Sequence, residues 1–230
     1  MSTKSPAEPT ALSPKDSFQM NRIMRHKLRN HSAGLKMTLH RIQDVLETVD
    51  SQMADRCSLM LNELENLEHF TERMDLIFSD LPEEEPQMLF NVICDLRRRF
   101  AAAYPMCNLE FEGKECAALF ARGNYIVIAL WELLANAGEA AGLDGKVILR
   151  WELEDSVKFT ILNTGEEFPD NIPTEPPMPF YTEKGRHDGL GLAIVNRICR
   201  TLGGKFELLP QSNVGVTTEM ELPREELSDA

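Results

Sequence analysis

Two long stripes of apolar residues at helical spacing limit what this chain can fold into. In the first, Leu28, Leu35, Leu39, Ile42, Leu46 and Val49 share one face, and the later steps alternate four and three, the rhythm of a heptad seam. In the second, Met53, Cys57, Met60, Leu64, Leu67, Met74 and Phe78 keep the same beat, with Thr71 the one polar interruption. Only a short polar stretch around Asp50 and Ser51 separates them. An antiparallel helical hairpin over residues 17–80 is expected. Two helices alone cannot cover their apolar faces. A second hairpin from another copy is therefore expected to complete a four-helix bundle, which makes the protein a homodimer.

Residues 1–16 are polar and proline-containing and read as a disordered lead-in. The acidic, proline-bounded stretch 81–86 ends the hairpin and reads as an exposed linker, because proline breaks a helix. After it the texture changes. Residues 88–104, 125–141 and 190–202 have helical patterns. Residues 109–112, 147–153, 157–162, 205–209 and 216–222 read as strands, and residues 163–188 as a proline-rich loop. That order predicts an α+β fold, a two-layer sandwich with a mostly antiparallel sheet over residues 87–224, followed by a short tail at 225–230.

The net charge of -13 argues against non-specific nucleic-acid binding, which needs a basic footprint. No apolar run approaches the roughly 20 residues needed to span a bilayer. The five cysteines are scattered, with no C-x-x-C pair, so neither a disulfide framework nor a zinc site is expected, and a reducing, cytoplasmic setting is.

Three segments carry chemistry. Gly189-Leu-Gly191 ends a loop, and an apolar helix starts at once. Glycines there let the backbone approach an anion, and the first-turn amides point at it; a tight loop–helix junction would use the same residues. In Trp131-Glu-Leu-Leu-Ala-Asn-Ala-Gly-Glu-Ala-Ala141, the residues Glu132, Asn136 and Glu139 stand at i, i+4 and i+7 and share a helix face. Glu132 and Asn136 can offer oxygen to Mg²⁺, which takes one or two protein ligands beside substrate phosphates; a solvated face would look alike. Ile161-Leu-Asn-Thr-Gly165 ends a strand in a polar side chain and a glycine, and Asn163 there could read a purine amino group.

In this order and spacing, these segments resemble the nucleotide-binding domain of sensor histidine kinases, within the gyrase, heat-shock chaperone and mismatch-repair ATPase superfamily. The resemblance covers residues 86–223. Glu132-Leu-Leu-Ala-Asn136 looks like the family's Asn-containing helix, and Gly189-Leu-Gly191-Leu-Ala-Ile-Val like its second glycine box. Phe180-Tyr-Thr-Glu-Lys184 looks like the end of its lid, and Leu202-Gly-Gly204 and Gly215-x-Thr217 are similar to its closing strands. The resemblance implies that ATP is held by Asn136, Asn163, Gly165, Thr182, Lys184, Gly189 and Gly191, with Mg²⁺ on Asn136 and Glu132. His26-Lys-Leu-Arg-Asn30 looks like the family's phosphorylation box, which implies that His26 accepts the phosphoryl group, with Asn30 one turn along the same face. His40 repeats the phase of His26 two heptads later, so phase alone does not choose; the surrounding box does.

Three positions depart from the pattern. Lys27 stands where an acidic residue usually follows the histidine. Asn163 stands where an aspartate reads adenine. Thr164-Gly165-Glu-Glu-Phe lacks the second glycine of that box. The resemblance implies a histidine kinase core that phosphorylates His26 and passes phosphate to the receiver domain of a response regulator, with sensing by a separate protein. A phosphotransferase shuttling phosphate between receivers, with a degenerate ATPase domain, and a non-enzymatic module that sequesters a regulator are the alternatives.

Overall fold

A computed structural model describes residues 14–114, 119–120, 122–165, 178–182, 187–210 and 215–223. The chain divides into two compact units, Met1–Asp80 and Leu81–Ala230.

The first unit is a helical hairpin. Helix α1 runs Pro14–Leu46 and α2 runs Ser51–Phe78. The 33 residues of α1 span about 50 Å at the usual rise per residue. Asp50 starts α2: its carboxylate accepts from the amides of Gln52 and Met53 at 3.1 and 3.2 Å, satisfying donors that a helix start leaves open.

The seam inside this hairpin differs from the expected one. The face that α1 turns to α2 is largely polar, at Arg25, Arg29, Ser32, Lys36 and Gln43, with Leu39 and Leu46 between them. Arg25 is only 2% exposed. Its Nε donates to Asp75 at 2.7 Å, its Nη2 donates to the Ser79 hydroxyl at 2.9 Å, and its guanidinium lies 5.9 Å from the Phe78 ring centre. Arg29 pairs with the other Asp75 oxygen and donates to Thr71. Lys36 bridges Glu65 and Glu68 at 3.2 and 3.1 Å, and these two carboxylates hold its ammonium above the usual lysine range. Thr71, which interrupts the apolar stripe of α2, is buried because it belongs to this polar ladder. The heptad-spaced Leu28, Leu35, Ile42 and Val49 are instead 41%, 56%, 44% and 76% exposed. This part of the α1 stripe therefore faces outward, as does part of that on α2 at Met53 and Met60.

The second unit is a two-layer α/β sandwich. In chain order it comprises β1 (Gln87–Met88), α3 (Leu89–Ala103), β2 (Asn108–Glu112), β3 (Leu119–Phe120), α4 (Gly123–Ala141), β4 (Lys146–Leu153), β5 (Ser156–Asn163), α5 (Gly191–Thr201), β6 (Lys205–Pro210) and β7 (Val216–Pro223). The main sheet has the order β2-β4-β5-β7-β6. Its neighbours are antiparallel except β2 and β4, which run parallel. Burial alternates along β5, where Val157, Phe159, Ile161 and Asn163 face inward. Helix α4 packs on β4 and β5, α5 on β6 and β7, and α3 on α4 and β2. The helix α4 is apolar almost all round, and Leu130, Leu134 and Ala129 have no exposed surface, as expected of a helix sandwiched between a sheet and its neighbours. The other face of the sheet is lined by cross-strand ion pairs, Lys146–Glu110 at 2.8 Å, Arg150–Glu112 at 2.7 Å and Lys158–Glu219 at 2.8 Å, and is solvated.

The strands β1 and β3 pair antiparallel as a separate two-stranded sheet. Their sequences gave no periodic signal, since two residues cannot show one.

Candidate functional site

In the second unit, three pieces of chain come together beside the C-terminal half of α4. The first is α4 itself. Glu132 is 9% exposed, Asn136 is half-buried and Glu139 is more open, one turn apart along one face as their spacing requires. Tyr104, at the end of α3, braces the helix: its hydroxyl donates to the Ala135 carbonyl at 3.1 Å, and its ring packs near Trp131. Burial, with help from Glu139, Cys107 and Glu132, pushes the Tyr104 hydroxyl up to about 12.

The second piece is the end of β5. Asn163 is 7% exposed on the inner face of the sheet. Its amide nitrogen is buried with no hydrogen-bond partner. The Thr164 hydroxyl accepts from the Lys146 amide at 2.9 Å and ties the turn to β4. Gly165 then approaches α4 so closely that a Cβ on it would stand 2.0 Å from the Ala140 carbonyl oxygen, and its φ is +131°. Only glycine fits both demands.

The third piece is the loop before α5. His187 Nε2 lies 3.3 Å from a Glu139 carboxylate oxygen, which brings this loop onto α4 next to the Gly165 contact. Gly189 has φ +68°, and a Cβ there would stand 2.6 Å from the Phe180 backbone carbon and 2.8 Å from the Tyr181 carbonyl oxygen. The Phe180 amide donates to the Gly189 carbonyl at 2.9 Å. Phe180 itself sits at φ +71°, a costly conformation for a bulky side chain that is found mostly where function demands it. The Asp188 carboxylate accepts from the Leu190 amide at 3.0 Å, and Leu190, the N-cap of α5, makes no side-chain capping bond. The first turn of α5 opens at Gly191, directly after this loop.

These pieces suit a nucleotide triphosphate with its metal. Among the described residues there is no cluster of three or more His, Cys, Asp or Glu that could hold a metal alone. Glu132 and Asn136 offer one or two oxygens, the number Mg²⁺ takes when phosphates supply the rest. Thr182 is exposed, and Lys184 lies outside the described residues, as do Glu166 and Glu167.

In the first unit, His26, Lys27 and Asn30 are all exposed on α1. His40 is exposed too, so accessibility does not separate the two histidines. Polar contacts to α2 flank both: Arg25 and Arg29 end on Asp75 around His26, and Lys36 and Gln43 meet Glu68 and Ser58 around His40. The sequence reading missed these contacts and the His187–Glu139 contact, since each joins residues far apart in the chain.

Residues 123–226 match the family of histidine kinase-, DNA gyrase B- and HSP90-like ATPases. The catalytic domain of the histidine kinase ThkA superposes with a TM-score of 0.56 at 27% identity, over 63% of this chain and 99% of that one. The second unit therefore has the fold of a histidine-kinase-type ATPase domain. The chain is also similar to the sensory histidine kinase/phosphatase NtrB of Rhizobium meliloti (strain 1021), 22% identical over 87% of this chain, and of Rhizobium leguminosarum bv. phaseoli, 23% identical over 82%. The chain spans 60% and 54% of the length of those two relatives. Full-length ShkA in complex with AMPPNP shares the fold across both units, with a TM-score of 0.71 at 16% identity over 93% of this chain and 46% of that one. No helix among the described residues is long and apolar enough to cross a membrane.

Proposed function

We propose that this protein is a cytoplasmic histidine kinase core of a two-component system, which binds Mg·ATP in its second unit, phosphorylates His26 and passes the phosphoryl group to an aspartate of a response regulator. The observation that carries the reading is the convergence of α4, the Gly165 turn and the Gly189 loop through the Ala140 and Glu139 contacts. ThkA, a structural relative at 22% identity and a TM-score of 0.60 over 90% of this chain and 61% of that one, is known in complex with the response regulator TrrA, which supports a receiver domain as partner.

Each residue has a role that its chemistry allows. Glu132 and Asn136 hold the metal, and the first-turn amides of α5 and the Gly189 backbone take phosphate oxygens. Bound Mg²⁺ neutralises phosphate charge. Asn163 meets the base, and Thr182 and Lys184 contact the nucleotide. A neutral imidazole nitrogen of His26 attacks the γ-phosphorus; the bond to the β–γ bridging oxygen breaks, ADP leaves and the imidazole proton goes to solvent. In the second transfer the N–P bond breaks as a receiver carboxylate oxygen bonds to phosphorus. Asn30, one turn from His26, hydrogen-bonds the phosphoryl group in this scheme. A homodimer through the hairpin is supported by the outward stripe at Leu28, Leu35, Ile42 and Val49.

A second reading is favoured by Lys27, which is exposed beside His26 and cannot take an imidazole proton while it is an ammonium. On that reading the hairpin relays phosphate between receivers and the second unit is a scaffold. Incubation with γ-labelled ATP and magnesium decides between them. The kinase gives acid-labile, base-stable label that disappears in His26→Ala. No label, with transfer from a phosphorylated receiver intact, supports the relay. Absence of both leaves a module that only binds its regulator.

A further inference from the structure

All five histidines of the chain are exposed, so exposure does not say which of them carries a phosphoryl group. Their neighbours do. Side chains on an α-helix lean toward its N-terminus, over the residues three and four back. The charge at those positions therefore decides how an anion on the imidazole is received.

Behind His26 stand Ile23 and Arg22. Arg22 is exposed and makes no ion pair among the described residues. Its own neighbours three and four away on α1 are Phe18, Gln19, Arg25 and His26, none of them acidic. Both oxygens of Asp75, the carboxylate that α2 brings to this level, are already taken by Arg25 and Arg29. Arg22 is thus a cation without a carboxylate, one turn from the imidazole. Its planar fork matches a phosphoryl group with two parallel hydrogen bonds, from the side opposite Asn30.

The other histidines lack this arrangement. Behind His40 stands Lys36, but its ammonium is held between Glu65 and Glu68 at 3.2 and 3.1 Å. Behind His69 stands Glu65, whose carboxylate repels an anion. His31 has Lys27 one turn back, yet it stands between Leu28 and Leu35 on the outward apolar stripe, which offers an anion no hydrogen bond. His187 lies 3.3 Å from Glu139.

We propose that Arg22 holds the phosphoryl group on His26, and that this free cation is what selects His26 over His40. The proposal rests on the reading that the hairpin carries a phosphohistidine.

Potassium phosphoramidate, which phosphorylates imidazoles without ATP or a protein partner, tests it on the full chain. The imidazole nitrogen bonds to phosphorus, the donor's P–N bond breaks, ammonia leaves and the imidazole proton goes to solvent. Tandem mass spectrometry reads the initial labelling rate at each histidine. His26 is expected to label about tenfold faster than His40, the worth of one charge-assisted contact. Arg22→Gln is expected to bring His26 down to the His40 rate with helical circular dichroism unchanged, and Arg22→Lys to restore part of the difference. Glu65→Gln with Glu68→Gln frees Lys36 and is expected to raise the rate at His40, a gain that loss of structure would not give. Equal rates at His26 and His40 in the wild type overturn the selection. A His26 rate unmoved in Arg22→Gln overturns the role of Arg22 while leaving His26 as the acceptor. Should Arg22→Gln not fold, the His40 rate in the double glutamate variant decides, and no rise there overturns the proposal. A wild type without label on His26 overturns both the proposal and the reading of His26 beneath it.

Discussion

The hairpin and the sandwich handle their apolar residues in opposite ways. In the sandwich, Leu130, Leu134, Val147 and Phe159 have no exposed surface, and the charged pairs stand on the outer side of the sheet. In the hairpin, charged and polar groups occupy the inside seam while Leu28, Leu35, Ile42 and Val49 look outward. A polar seam specifies which residues must meet but contributes little net stability, because each ion gives up hydration to pair. An apolar face left open gains stability only from whatever covers it. The sandwich thus buries its own apolar residues, while the hairpin leaves an apolar face open, the face through which we propose it dimerises.

The sharpest way to break this contrast is Leu28→Asp with Leu35→Asp. If the outward stripe is a dimer seam, two buried leucines at about 1.5–3 kcal/mol each are lost. Light scattering is expected to show monomer, with the melting of the sandwich unmoved. A dimer that survives places the interface elsewhere. Next comes Leu130→Ala, which removes a fully buried side chain from α4 and is expected to cost about 2–5 kcal/mol in denaturant unfolding of the sandwich, with no effect on dimer affinity. Asp75→Asn withdraws the charge shared by Arg25 and Arg29; a loss of about 1–3 kcal/mol is expected in thermal melts followed by helical circular dichroism. Asp50→Ala removes the cap of α2 and is expected to cost about 1 kcal/mol in the same melts. Smallest is Glu110→Gln, which breaks an exposed pair with Lys146 and is expected to change stability by less than about 1 kcal/mol.

Much of the sandwich was legible in the sequence, because its signals are local. Gly189 is forced by a positive φ and by contact with Phe180 and Tyr181; Glu132 and Asn136 share a face because four residues make a turn. The strands from β4 to β7 show themselves by alternation, as β5 does. What stayed hidden depends on distant partners. The parallel pairing of β2 with β4 leaves no mark on either strand's pattern. Arg25 and Arg29 look like a solvated face until Asp75, some fifty residues on, is brought against them. The apolar stripe of α1 was visible, yet not which side of the hairpin it would take, since two heptad faces, one polar and one apolar, compete on the same helix.

The small sheet at the entrance to the sandwich has a mechanical meaning. Gln87 and Met88 pair with Phe120 and Leu119, the Gln87 side chain bonds Asn124, and Gly123 sits so near Gln87 that a Cβ would come within 2.2 Å of it. Chain arriving from residues 81–86 is therefore stapled to the first residues of α4, about 20 Å along that helix from Asn136. The segment is thus fixed to the start of the helix that bears Glu132 and Asn136. Hydrogen exchange in the first turn of α4 should accelerate in Gly123→Val, where the staple cannot close, and a first turn as protected as before would show that the segment is held elsewhere.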